Sequence, residues 1–337
     1  MTRVAVIDCG TNSIRLLIAD GTRTSGSSSQ HGQGVIGASS PRVSAVVDNE
    51  QEAADGLIEV DRRVELVRLG QGVDATGMFH PDALIRTFRA IDGYAELIED
   101  ASVERLRFVA TSASRDVQNR AEFEAGVRER LGVEVEVISG EEEARLSFSG
   151  ALEVLKGRAD VDAGPVLVTD IGGGSTELVV GEQTGQVMGA ASVDIGAVRM
   201  RERFLRSDPA TAAERRAAIG HVDRILDASD VPWHEARTWV GVAGTATSMA
   251  AMFLDLTAYD RARVHGAMLL PTDVEHLSSR IIDSTVEELT TVPTLAPLRA
   301  QVIAGGALIC ERIAERVGVP LIVSETDILD AVATELV

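Results

Sequence analysis

The chain has 337 residues, of which 45% are hydrophobic and 25% charged, and its formal net charge at pH 7 is −20. This length favours two domains with separate cores, and the acid excess argues against nucleic acid as a partner. The two cysteines, the lack of an apolar stretch of membrane-spanning length and the lack of a signal peptide predict a cytoplasmic protein with no membrane partner.

The N-terminal residues predict a β-hairpin. Within residues 4–20, two apolar strands flank a short polar turn, and Asp8 ends the first strand. The turn contains Gly10, Thr11, Asn12 and Ser13. The next segment, residues 21–56, is rich in glycine and serine and predicts a long mobile loop.

Strands and helices then alternate, as in an α/β fold. Residues 57–70 return to strand character, and apolar residues at helical spacing predict a helix over 81–100. A strand over 106–110 leads into Arg115 at the edge where open α/β sheets place ligands, so its guanidinium could stabilise a phosphoryl group. The alternative is that Arg115 pairs with a nearby carboxylate for structural reasons.

A helix predicted over residues 139–155 begins with acidic side chains. Ser139 and Glu142 fit a capping box, and Glu143 lies in the same first turn. The helix dipole stabilises carboxylates there, so these glutamates could be surface charges that only stabilise the N-terminus of the helix.

A glycine-rich stretch at residues 166–182 predicts a second hairpin. Asp170 ends an apolar strand, and strand character resumes after Glu177. Between them lie Gly172, Gly173, Gly174, Ser175 and Thr176. Amide groups of such a turn can converge on an anion, and a hard cation such as Mg²⁺ between the carboxylates would make phosphate binding compatible with them. A glycine-rich hairpin without a ligand is the alternative.

The two hairpins have the same pattern, with Asp8 and Asp170 lying 162 positions apart (170 − 8). A repeat at about half the chain length suggests two related domains that face each other.

A third strand and loop over residues 240–250 contain Gly244 and Thr245, and a helix is expected next. Helix N-termini bind anions, so this loop is a further candidate phosphate site. Lys156 is the only lysine and follows no glycine loop, which excludes a Walker A motif.

The remaining residues predict helices over 210–228, 272–284 and 299–317 and a final strand and helix. Arg199, Arg203 and Arg206 share a helix face, which could be a solvated face or one bank of a channel for a polyanion.

Three loops of this kind resemble the acetate kinase, sugar kinase, Hsp70 and actin superfamily. Within it, the chain resembles the exopolyphosphatase and guanosine pentaphosphate phosphohydrolase (Ppx/GppA) family. The residues that carry the resemblance are DCGTNS at 8–13, ATSASR at 110–115, ISGEEEAR at 138–145, DIGGGSTE at 170–177 and GVAGT at 241–245. It spans almost the whole chain in the family's order.

The resemblance implies an α/β fold of two actin-like, ribonuclease H-like domains with a cleft between them. We expect domain I over residues 1–140 and domain II over 141–324, with a C-terminal helix at about 325–337 that packs back on domain I. It also implies the short form of the family, without a C-terminal HD-type domain, and a homodimer.

The resemblance further implies a metal-dependent exopolyphosphatase that removes terminal phosphate from inorganic polyphosphate. Glu143 matches the family's proposed catalytic glutamate, and Arg115 would offset charge on the phosphoryl group. Asp8, Asp170 and Glu177 would hold Mg²⁺, with Mn²⁺ as an alternative. The expected phosphate-binding residues are Thr11, Asn12, Ser13, Gly172, Gly173, Gly174, Ser175, Thr176, Gly244 and Thr245.

Several alternatives stay open at this point. The nearest is the same chemistry on guanosine pentaphosphate; others are an ATP-dependent kinase, a polyphosphate sensor and an actin-like scaffold. Gln301 stands where the family often has aspartate, and the ending SETDILD also departs from the family's wording, so substrate contacts there are in doubt.

Overall fold

The computed structural model describes residues 1–21, 52–53, 56–115 and 117–337. The predicted loop over 21–56 therefore lies almost wholly outside the described residues.

The first sheet has six strands in the order β3-β4-β2-β1-β5-β6. Its strands are β1 Thr2–Cys9, β2 Ser13–Gly21, β3 Glu52–Ala53, β4 Leu57–Leu66, β5 Arg105–Ala110 and β6 Val135–Val137. The helices of this half are α1 Val73–Thr76, α2 Pro81–Asp100, α3 Ser112–Arg115 and α4 Arg120–Leu131. Helix α2 begins where predicted, because Pro81 occupies its first turn and the His80 side chain accepts a hydrogen bond from the Asp82 amide.

The second sheet has six strands in the order β11-β12-β10-β7-β8-β9. Its strands are β7 Val166–Ile171, β8 Thr176–Gly181, β9 Val187–Val193, β10 Thr238–Val242, β11 Met268–Leu269 and β12 Leu321–Val323. The helices are α5 Gly140–Ala151, α6 Ala197–Arg203, α7 Ala212–Asp227, α8 Ala243–Phe253, α9 Arg261–Val264, α10 Pro271–Asp283, α11 Val286–Thr290, α12 Pro297–Ala300, α13 Ile303–Val317 and α14 Ile328–Leu336. Short 3₁₀ turns cover Leu152–Leu155 and Trp233–Glu235.

The two sheets follow one plan. In the first, β1 pairs antiparallel with β2 and parallel with β5. In the second, β7 pairs antiparallel with β8 and parallel with β10. The order β6-β5-β1-β2-β4 thus matches β12-β10-β7-β8-β9, which confirms the predicted duplication and the α/β fold of two actin-like domains.

Helix α5 lies between the two halves of the molecule. Its Leu146 joins an apolar cluster with β1 and α14, whereas Ala144 and Phe148 join a cluster with β7, β8 and β10. Helix α14 packs against β1 and β2 as well as α5. Since both sides of α5 are packed against neighbouring elements, the residues of its first turn have fixed positions.

Three local predictions need correction. The helix predicted over residues 299–317 is interrupted between α12 and α13, at Gln301 and Val302. The third loop is not a loop, because α8 begins directly after β10 and contains Gly244 and Thr245 in its first turn. Only half of the predicted capping box is made: Ser139 accepts a hydrogen bond from the Glu142 amide at 3.1 Å.

Candidate active site

The first hairpin brings a buried aspartate and an arginine together. Asp8 and Arg15 are opposite each other in the β1–β2 register. Arg15 donates from Nε and Nη2 to Asp8 Oδ2 at 2.9 and 2.5 Å, and its Nη1 contacts the Asp327 carboxylate just before α14. Asp8 Oδ1 is buried and has no hydrogen-bond partner among the described residues.

The second hairpin holds two more buried carboxylates. Asp170 and Glu177 are opposite each other in the β7–β8 register. Ser147 of α5 donates to Asp170 Oδ2 at 3.2 Å, and Ser192 of β9 donates to Glu177 Oε1 at 2.8 Å. Within the described part of the chain, Glu177 Oε2 is buried without a partner.

The turns of the two hairpins touch each other. A Cβ atom added at Gly173 would come within 2.9 Å of Thr11 Cβ, and one added at Gly174 would come within 2.4 Å of Ser112 Oγ. Real Cβ atoms do not approach other heavy atoms so closely, so a side chain at Gly173 would push the turns apart, whereas one at Gly174 would require the Ser112 hydroxyl to move.

A cavity of about 360 Å³ opens at this junction. Its lining includes these predicted site residues: Asp8, Thr11, Asn12, Ser13, Glu143, Asp170, Gly172, Gly173, Gly174, Ser175, Gly244 and Thr245. Arg115, Thr176 and Glu177 are not among its lining residues. The Thr176 hydroxyl donates to the Ile195 carbonyl at 2.7 Å, so our expectation that it binds phosphate gains no support.

Glu143 extends from the first turn of α5 and is 8% exposed. Arg115 donates to its carboxylate from Nη2 and to the Ile138 carbonyl from Nε at 3.1 Å. The alternative kept for Arg115, pairing with a carboxylate, is therefore the contact observed. Glu143 is buried, unlike Glu141 of the same turn, which is exposed; it is thus more than surface charge.

Burial and mutual repulsion perturb these carboxyl groups. Burial raises the pKa of Glu143 well above its usual range; the charge of Glu177 adds to the rise and Arg115 opposes it. Burial also raises the pKa of Asp170 to about 6 and that of Glu177 to about 8. The pKa of Asp8 is raised by burial too, although Arg15 opposes the shift.

These groups fit a hydrated divalent cation. Among the described residues, no three His, Cys, Asp or Glu side chains are close enough to hold a metal ion directly. Two carboxylate oxygens of these groups are nevertheless buried without a partner among the described residues, and burial raises the pKa of Asp8, Asp170 and Glu177, so a cation beside them would stabilise their ionised forms. Mg²⁺ usually keeps several of its waters, so it can bridge such carboxylates without an all-protein cage.

The cavity lining also contains residues that the sequence analysis did not select. Arg299 donates to Ser248 Oγ at 3.1 Å and lies against Gly244, where an added Cβ would come within 2.8 Å of Nη2. Tyr259, 45% exposed, also lines the cavity, and its hydroxyl contacts Glu325. Only tertiary structure brings Tyr259 and Arg299 together. Arg15, by contrast, could have been found from its place opposite Asp8 in the hairpin.

The predicted arginine bank is largely paired, and α6 ends at Arg203, so the expectation that Arg206 shares its helix face is wrong. Arg203 contacts both carboxylate oxygens of Asp74, and Arg199 pairs with Asp194 at 2.8 Å. Arg206 donates to the Glu202 carbonyl at 3.0 Å. The solvated-face alternative, with its charges paired, fits these contacts.

Comparisons with known proteins show the family of the chain. A model of the Ppx/GppA phosphatase family matches residues 46–322. The chain belongs to this family. Exopolyphosphatase 2 of Mycobacterium tuberculosis is 43% identical over 348 residues, which cover 100% of this chain and 99% of that protein. A crystal structure of an exopolyphosphatase-like protein is 37% identical, has a TM-score of 0.85 and covers 99% of this chain and 98% of its own.

Another relative in this phosphatase family carries a different name. The guanosine-5'-triphosphate,3'-diphosphate pyrophosphatase of Vibrio cholerae is 29% identical over 75% of this chain, which spans only 53% of that protein.

No helix within the described ranges is both long and apolar enough to span a bilayer.

Proposed function

We propose that this member of the Ppx/GppA phosphatase family is an exopolyphosphatase that hydrolyses the terminal phosphate of inorganic polyphosphate. The observation that carries the proposal is the single cavity into which both hairpin turns and the buried Glu143 open. The similarity of the chain to the M. tuberculosis exopolyphosphatase over the full length supports polyphosphate as the substrate.

The turns would hold the terminal phosphates. Residues 172–174 line the cavity together with Thr11, Asn12 and Ser175. The amides of Gly173 and Gly174 and the side chains of Thr11 and Asn12 would donate to phosphoryl oxygens, whereas the Gly172 amide already donates to the Ser175 carbonyl at 3.1 Å. Gly244 and Thr245 lie in the first turn of α8, where free amides favour an anion. The Thr245 hydroxyl already donates to the Ile171 carbonyl at 3.0 Å, so its contribution would come from its backbone amide.

Positive charge at the cavity would come from arginine and a divalent cation. Arg299 forms no ion pair with a carboxylate within the described residues, so its charge remains available to a substrate anion. Asp8, Asp170 and Glu177 would hold Mg²⁺, or Mn²⁺, through water. The bound cation supplies charge neutralisation for the phosphoryl oxygens.

Glu143 would take the proton of the attacking water. The water oxygen bonds to the terminal phosphorus, the bond from that phosphorus to the bridging oxygen breaks, and the shortened chain leaves. Burial strengthens the ionised form of Glu143 as a base by raising its pKa. Arg115 favours that ionised form and orients it, and this positioning role replaces the direct phosphoryl contact expected from the sequence.

The test is phosphate release from short and long polyphosphate with Mg²⁺. We expect Glu143→Ala to lower turnover about 10²–10⁴-fold, the usual range for an acid–base residue. Glu141→Ala is the matched control, because it removes an exposed carboxylate from the same helical turn. Wild-type turnover by Glu143→Ala would remove Glu143 from the mechanism; no release from any polyphosphate by the wild type would favour a sensor or scaffold.

Guanosine pentaphosphate is a second candidate substrate. The exposed ring of Tyr259 lines the cavity and offers a surface on which a base could stack. The name of the V. cholerae relative points to the same nucleotide. Assaying polyphosphate and guanosine pentaphosphate side by side decides between them by their values of kcat/KM.

The homodimer and the cytoplasmic location stay predictions.

A further inference from the structure

Two further segments are each bonded through their main chain to one of the two turns. Residues that follow β4 bond to the first turn: the amides of Val67 and Arg68 donate to the Asn12 carbonyl at 3.1 and 2.9 Å, and that of Gly70 donates to the Thr11 carbonyl at 2.8 Å. Since these bonds join main chain to main chain, a displacement of this segment displaces the turn.

Helix α6 is bonded to the second turn in the same way. The Ala197 amide donates to the Gly172 carbonyl at 2.9 Å, and the Val198 amide donates to the Gly173 carbonyl at 2.9 Å. A Cβ atom added at Gly196 would come within 2.5 Å of the Gly173 carbonyl oxygen, so α6 begins directly against this turn.

Polar contacts join these two segments across the domains. Arg203 of α6 contacts both carboxylate oxygens of Asp74 with its Nε and Nη2 groups, in the two-bond geometry that arginine forms with carboxylates. The neighbouring Glu202 accepts from the Gly72 amide at 3.2 Å. We call Asp74, Glu202 and Arg203 the rear clasp.

We propose that the rear clasp sets the separation of the two phosphate-binding turns and so positions them on the terminal phosphates. The inference rests on the proposed function, because it treats these turns as the substrate site. Asp74 and Arg203 are then positioning residues, because neither lines the cavity. They act through their own segments, whose backbone hydrogen bonds reach Thr11 and Gly173.

The test is a double-mutant cycle with Asp74→Asn and Arg203→Gln, assayed on short polyphosphate with Mg²⁺. The pair is partly exposed, so we expect each single variant to raise KM by about two- to fivefold with a smaller change in kcat. The double variant should be no worse than Asp74→Asn alone, because both substitutions remove the Arg203–Asp74 contact and Asp74→Asn also removes the longer Arg199–Asp74 contact at 3.7 Å. Glu134→Gln is the control: it breaks the surface pair with Arg128, which joins no second domain.

Two kinetic outcomes would overturn the proposal. Unchanged KM in both single variants would show that the clasp positions nothing. A KM that rises in Arg203→Gln and falls in Asp74→Asn would show instead that Arg203 binds the substrate and that Asp74 competes for it.

A second measurement needs no substrate. Hydrogen exchange of the Val67, Gly70, Ala197 and Val198 amides should be faster in Asp74→Asn than in the wild type and unchanged in Glu134→Gln. Equal protection in all three proteins would refute the clasp. If the wild type releases no phosphate but the three proteins still show this exchange pattern, the proposed function is refuted and the structural role of the clasp remains.

Discussion

Gly150, near the end of α5, is the position where a single added methyl group tests the packing that holds the site. A Cβ atom there would lie 2.0 Å from the Asp327 carbonyl oxygen and 2.6 Å from its carbon. Both are backbone atoms, so no side-chain rotation can relieve the clash. To reach even 3.0 Å, α5 and the start of α14 would have to separate by about 1 Å (3.0 − 2.0).

The cost of Gly150→Ala follows from two opposed terms. Alanine gains at most about 1 kcal/mol over glycine within a helix. Forcing a methyl group into a packed site costs about 1–3 kcal/mol, and a clash with backbone belongs at the upper end. We therefore expect a net loss of about 2 kcal/mol. Activity should fall as well, because Asp327 contacts Arg15, which bonds Asp8.

The assay is thermal and urea unfolding of the wild type, Gly150→Ala and the matched control Gly93→Ala. Gly93 lies in the middle of α2, is exposed, and has nothing within 4 Å of an added Cβ. The control should unfold at a higher midpoint than the wild type, and Gly150→Ala at a lower one. If both glycine variants were stabilised alike, the reasoning about close packing of α5 on α14 would be refuted.

Two further predictions concern pH and substrate choice. The Glu177 carboxyl has a pKa raised to about 8 against an ordinary 4.5, so the folded state holds its proton more tightly; its stabilising effect is complete below pH 4.5 and is lost as the pH rises through about 8. With a chelator present, loss of the proton from this group alone should lower the free energy of unfolding by about 2 kcal/mol between pH 6 and 8. Glu177→Gln should flatten the plot of unfolding free energy against pH. Equal slopes for the wild type and Glu177→Gln would contradict the raised pKa of Glu177. Tyr259→Ala should raise KM for guanosine pentaphosphate but not for polyphosphate if the ring stacks on the base, whereas a matching rise for both substrates would exclude that role.

Much of the fold follows from local sequence. The strands of both hairpins are continuous apolar runs closed by turns of glycine and small polar residues, and both lie where the sequence predicts them. The D-x-G pattern occurs twice for a structural reason as well, since each copy ends the central strand of an equivalent sheet. Helix α2 was predictable to the residue because Pro81 and the apolar spacing act within its own length.

The sequence by itself thus determined the duplicated hairpins, their turns and the acidic first turn of α5. Only the tertiary structure decided that Glu143 is buried, that Arg115 pairs with it, and that Thr176 is turned toward Ile195. It also decided the partners of Arg15 and Arg203, since Asp327 lies 312 positions from Arg15 and Asp74 lies 129 positions from Arg203. The physical reason is the range of each interaction: turn and strand preferences act between neighbours in the chain, whereas burial and ion pairing depend on which distant segments the two domains bring together.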